Sequence, residues 1–211
     1  MKNNSLLAII FDADGTLLNS MYLWYELGGR YLRSINIEPE RGLADMLAPL
    51  SLEESCVYLK DRYALEQSLG DIRDGIVRII QDFYIDEVGL KVGVRDFLES
   101  MSLKNVPMVI ATSGDRTLLN AALERNGIAR YFEAVFTCSE LNTTKREPTI
   151  YLACAEFLKL DPGNIAVFED SLFALETAKA AGFITFGVED DSNINDRENI
   201  IAVADFYTDF L

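Results

Sequence analysis

The chain has 211 residues, 49% of them hydrophobic, and carries a net charge of −15 without a single histidine. That length suits one domain or a core with a smaller insert, and the apolar content supports a sizeable core. The acidic balance disfavours nucleic acid and anionic membranes as partners, and the missing histidine excludes Ser-His-Asp and Cys-His catalysis and any His-bearing zinc site.

The chain opens on "MKNNSLLAIIF". Its apolar part is too short for a signal-peptide core with a cleavage site. No stretch approaches the roughly 20 apolar residues needed to span a bilayer. Cys56, Cys138 and Cys154 are widely spaced and odd in number, as expected of reduced, buried thiols. A cytoplasmic protein is the expectation.

Leu6 to Phe11 is a continuous apolar run, the pattern of a strand buried on both faces of a parallel sheet. Residues 20–88 then break into helices only, over about 21–36, 40–48, 52–68 and 71–87 by their periodicity. Ser51 followed by Glu54 reads as a capping box. Further apolar runs follow at Val106–Ala111, Ala134–Thr137, Ile165–Phe168 and Phe183–Phe186, with a last short strand near Asp205–Tyr207. Helical patterns separate them. One opens with Asp115 as N-cap and closes at Gly127, one begins with Pro148 at a first helical position, and one follows Ser171 and ends at Gly182. The alternation predicts an α/β fold, a doubly wound parallel sheet. Its core comprises 1–19 and 89–211, with an all-helical insert at 20–88 after the first strand.

Ligands of such sheets bind at the carboxyl ends of the strands, and this edge is rich in oxygen groups. Asp12 and Asp14 follow the first strand. Thr112 and Ser113 end the strand at 106–111, Glu169 and Asp170 end the strand at 165–168, and Lys145 lies in the loop "NTTKREP". Three or four carboxylates on one edge repel one another if left bare. A hard divalent cation relieves that repulsion, and Mg²⁺ prefers few carboxylates plus waters and phosphate oxygens. With Lys145 as a further cation, the set suits phosphoryl transfer, which depends on positioning and charge neutralisation.

These motifs, in this order, resemble the haloacid dehalogenase-like superfamily, in its β-phosphoglucomutase and phosphoglycolate phosphatase branch. "FDADGTLLNS" is similar to its first motif, "ATSG" to its second, "KREPTIY" to its third and "VFEDSLFALETAKAAG" to its fourth. The resemblance implies that Asp12 is the nucleophile, forming an aspartyl-phosphate, and that Asp14 is the general acid and base. Thr112, Ser113, Gly114 and Lys145 would hold the phosphoryl group. Asp12, the carbonyl of Asp14, Asp170 and Glu169 would bind Mg²⁺. The insert would be a small cap that closes over the site and chooses the substrate. That suits a small phosphorylated metabolite, acted on by a monomer or weak homodimer.

Asp14 separates the chain from relatives. A haloacid dehalogenase needs no second aspartate, and a phosphonatase carries alanine there. The sugar phosphomutase is the stronger rival. It binds a second phosphate partly through an arginine of the cap, where this chain has Leu52, and it has a histidine where this chain has Trp24. Leucine cannot supply bidentate phosphate recognition, so a phosphatase is favoured. Trp24 and Leu52 remain candidate substrate positions, although the helical spacing of Tyr22, Trp24 and Tyr25 favours packing in the core. "KREP" replaces the family's K-P-x-P, and Ala174 stands where glycine is common.

Overall fold

The computed structural model describes residues 6–210. Six strands form one parallel sheet: β1 Ala8–Phe11, β2 Met108–Thr112, β3 Ala134–Thr137, β4 Ile165–Glu169, β5 Ile184–Val188 and β6 Phe206–Thr208. Their spatial order is β3-β2-β1-β4-β5-β6. The order reverses between β1 and β4, the switch point where open α/β sheets bind ligands. The helices are α1 Met21–Ser34, α2 Leu43–Leu47, α3 Leu52–Arg62, α4 Leu69–Asp82, α5 Val94–Leu103, α6 Arg116–Arg125, α7 Thr149–Leu158, α8 Leu172–Ala180 and α9 Arg197–Val203. The doubly wound sheet expected from the sequence is the observed architecture.

The two faces of the sheet differ in chemistry. Phe11 lies opposite Phe168, which lies opposite Phe186, which lies opposite Phe206. Their rings form a ladder, with centroids 5.1 Å apart for Phe11–Phe168, 4.4 Å for Phe168–Phe186 and 4.7 Å for Phe186–Phe206. Phe97 of α5 packs on Phe11 and Phe168 from that side. Side chains alternate along a strand, so Ala8 and Ile10 point the other way. There they join Val109, Ala111, Ile165 and Val167, with Ile150, Tyr151 and Cys154 of α7 and Ala178 of α8. The residue after Phe11 and the residue after Phe168 therefore leave the sheet on the α7 face. They are Asp12 and Glu169.

The chain divides into two compact units, one running through Asn19 and resuming at Val88, the other spanning Ser20–Glu87. The second unit is wholly helical. Its α3 starts at the expected capping box, with Ser51 accepting from the Glu54 amide at 3.2 Å and Glu54 accepting from the Ser51 amide at 2.8 Å. A second box, Ser68 with Asp71, starts α4 at Leu69. The helix expected over 52–68 therefore stops earlier, at Arg62. The helix expected over 40–48 shrinks to Leu43–Leu47 behind Gly42, whose φ of 84° is left-handed. The end of the 71–87 pattern is a π-helical turn, Phe83–Glu87.

Tyr22, Trp24 and Tyr25 do not pack in the core. They are 42%, 49% and 56% exposed. The buried stripe of α1 is Leu23, Leu27, Gly28, Tyr31 and Leu32, and the three aromatics flank it. Tyr31 is buried against Gly75 of α4, where an added Cβ would come within 2.6 Å of the ring. Gly75→Ala gains about 1 kcal/mol of helix propensity, but overpacking a buried ring costs about 1–3 kcal/mol. We expect a net loss of stability, read as a lower urea midpoint with an unchanged slope.

One boundary in the first unit also shifts. Pro148 is the residue before α7 and takes the N-cap position, so the helix begins at Thr149. Ser171 caps α8 by position but makes no side-chain cap bond. Among the described residues, no helix is long and apolar enough to cross a membrane.

Candidate active site

Strand register assembles the site. The Asp12 amide donates to the Phe168 carbonyl at 2.9 Å, which continues the β1–β4 ladder one step beyond Phe11. Asp12 and Glu169 thus stand side by side, and Asp170 follows directly. One ligand atom each from Asp12, Glu169 and Asp170 lies within 4.8 Å of the others, and all three residues are buried. Thr112 ends β2 on the other side of β1.

Lys145 reaches this cluster from the loop before α7. Its ammonium donates to Asp12 Oδ1 and, at 2.7 Å, to Glu169 Oε2. Tyr151, in the first turn of α7, donates its hydroxyl to the same Glu169 oxygen at 3.2 Å. Asn193 donates to Asp170 from the turn after β5, with 2.8 Å to its carbonyl and 2.8 Å to Oδ2. The sequence reading named neither Tyr151 nor Asn193. Tyr151 offered one signal, a polar tip in an apolar helix face that must find a buried partner. Asn193 offered none.

The second motif turns tightly. Thr112 Oγ1 accepts from the Gly114 amide at 2.9 Å. A Cβ on Gly114 would lie 3.2 Å from Thr112 Oγ1 and 3.3 Å from Asp14 Oδ2. Asp14, Thr112 and Gly114 are therefore neighbours, and glycine keeps that approach open. The Gly114 amide is engaged by Thr112, whose hydroxyl is a donor as well as an acceptor. Ser113 is exposed, with Oγ 3.6 Å from Cys138 Sγ. Trp24 and Leu52 belong to the helical unit, where Trp24 is exposed and Leu52 half-buried at the start of α3.

The electrostatics are those of a cation-seeking pocket. Burial pushes the Asp12 carboxyl up to about 8, Glu169 adds to the rise, and the opposing Lys145 does not offset it. Burial likewise pushes Asp170 up to about 9, reinforced by Glu169 and Asp12. Burial would lower the lysine, but Asp12 and Glu169 hold Lys145 well above the usual ammonium range. One ammonium cannot offset three ionised carboxylates, so without a cation Asp12 and Asp170 hold on to protons near neutral pH. Oxygen-only donors of this kind fit a hard divalent cation.

The family model for "Haloacid dehalogenase-like hydrolase" matches residues 9–188. The chain belongs to this family. Among the haloacid dehalogenase-like relatives is a phosphorylated carbohydrates phosphatase of Thermotoga maritima, 27% identical over 83% of this chain and 81% of its own. A fructose-1-phosphate phosphatase of Escherichia coli is 26% identical over 82% of this chain and 92% of its own. A Thermotoga maritima structure assigned as a β-phosphoglucomutase superposes with a TM-score of 0.85, at 26% identity, over 95% of this chain and 93% of that one.

Proposed function

We propose that this hydrolase is a Mg²⁺-dependent phosphatase acting on a small phosphorylated metabolite, with phosphorylated carbohydrates as the substrate class. The carrying observation is Asp12, buried beside Glu169 and Asp170, paired with Lys145 and two residues from Asp14. The relatives named for carbohydrate phosphates support the class.

In this reading an Asp12 oxygen attacks phosphorus and the ester P–O bond breaks. Asp14 gives its proton to the leaving alkoxide. Water then attacks the aspartyl-phosphate, Asp14 takes the proton back, and inorganic phosphate leaves. Lys145, the Thr112 hydroxyl and the Ser113–Gly114 turn hold the phosphoryl oxygens. Asp12, Glu169, Asp170 and the Asp14 carbonyl would hold Mg²⁺, which would supply charge neutralisation for the phosphoryl group. Residues Ser20–Glu87 are the cap that selects substrate. The three buried thiols suit a reducing cytoplasm, and the reading calls for no nucleic acid or membrane and for a monomer or weak homodimer.

The similarity to a structure assigned as a β-phosphoglucomutase keeps one rival reading, a sugar phosphomutase. Leu52 at the start of α3 offers no donor for a second phosphate. The test is phosphate release across a panel of sugar phosphates. Release is expected with Mg²⁺ and not after chelation, and silence across the panel would sink the phosphatase. Glucose 1-phosphate with a bisphosphate activator separates the two readings. Free phosphate is expected, whereas accumulating glucose 6-phosphate would favour the mutase.

A further inference from the structure

The turn after β5 is gripped from two sides. On one side stands Lys91, with a side chain only 13% exposed. Its ammonium donates to the Gly15 carbonyl at 2.8 Å, to the Glu189 carbonyl, and to Asp190 Oδ2 at 2.8 Å. All three ammonium protons are thereby used. The other Asp190 oxygen accepts from the Ser192 amide at 2.9 Å and its hydroxyl at 2.6 Å. These bonds shape the 3₁₀ turn Asp191–Asn193. On the other side, Asn193 Nδ2 donates to both the carbonyl and Oδ2 of Asp170.

A carboxylate held through its own backbone carbonyl and one oxygen has little rotational freedom. The asparagine is neutral, so it orients Asp170 without competing with a cation for its charge. Lys91 spends its own charge at Asp190, on the far side of the turn. It also ties that turn to Gly15, the residue after Asp14.

We infer that Asn193 is a positioning residue that fixes the Asp170 carboxylate for a divalent cation, and that Lys91 sets Asn193 by clamping its turn to the Gly15 carbonyl. This deepens the proposed function and rests on its cation site. Partners that hydrogen-bond a metal-ligating carboxylate fix its orientation, and losing one costs about 10–100-fold in metal affinity.

The experiment titrates Mg²⁺ into the full chain without substrate and follows the thermal midpoint. Asn193→Ala should need about tenfold more Mg²⁺ for its half-maximal shift, while KM for a phosphate ester at saturating Mg²⁺ stays at the wild-type value. Lys91→Met should lower stability, because it leaves Asp190 buried without its ammonium. Lys91→Met with Asp190→Asn removes that unpaired charge. It should recover stability yet still need more Mg²⁺ than the wild type for its half-maximal shift, which a purely structural tie would not do. A wild-type Mg²⁺ midpoint in Asn193→Ala overturns the inference, even if that variant melts earlier. Recovery of stability and Mg²⁺ response together in the double variant overturns the part assigned to Lys91. If the wild-type chain turns over phosphate esters yet shows no Mg²⁺-dependent shift, the positioning inference fails and the phosphatase stands. If the wild type shows neither, the proposed function fails first.

Discussion

Asp12→Asn should lower phosphatase turnover by about three orders of magnitude or more, while the cation-free fold keeps or gains thermal stability. The two halves of this expectation have different causes. The amide matches the carboxylate in shape but has no nucleophilic oxygen anion, so the proposed covalent step would be lost. The same change removes a carboxyl whose ionised form burial and Glu169 already disfavour, in a pocket where Glu169 and Asp170 lie close by. Lys145 keeps its 2.7 Å bond to Glu169 and can still donate to the new amide oxygen. Loss of activity with retained stability distinguishes chemistry from folding. Phosphate release and thermal unfolding, each with and without Mg²⁺, give the measurement. Turnover near the wild-type rate would remove Asp12 from the nucleophile's role. A large fall in stability would mean that its charge is a net structural asset.

The parts of this molecule that could be read from sequence are those whose signals are local. The strand Ala8–Phe11 announces itself as an apolar run, because both of its faces are covered. The start of α3 is written in Ser51 and Glu54, three residues apart. Asp12 and Asp14, and Glu169 and Asp170, sit where strands end, and the sheet's register brings Asp12 beside Glu169. What stayed hidden depends on distance along the chain. Lys91 meets Gly15 across 76 positions and Asp190 across 99, and no periodicity or capping rule reaches that far. Helices α5 and α9 were not foreseen as elements. The exposed Tyr22, Trp24 and Tyr25 misled for another reason. Spacing shows which residues share a helix face, and the face that Leu23, Leu27 and Tyr31 bury was the competing choice. A tool that counts apolar residues at helical intervals cannot decide between two adjoining faces.

Lys145→Met should destabilise the cation-free protein by about 3–5 kcal/mol, the usual cost of stranding a buried charge by deleting its partner. Asp12 and Glu169 both lose their ammonium, and neither has water to replace it, since their side chains are 8% and 2% exposed. Tyr151 still donates to Glu169, but one neutral hydroxyl does not offset a carboxylate's charge. Turnover should fall as well, by about 10²–10³-fold, as expected when a preorganised donor to the reacting group is removed. Mg²⁺ separates the two losses. In the wild type the cation adds to a pocket already partly neutralised. In Lys145→Met it meets carboxyls with no other cation to favour their charged form, so its stabilising effect should be larger there. Urea denaturation with and without Mg²⁺ reads that difference. Stability should return in part and turnover should not, because a cation among the carboxylates would not replace the donor that the proposed mechanism assigns to the phosphoryl group. Equal Mg²⁺ stabilisation of both proteins would mean that Lys145 is not the charge that holds the empty cluster together.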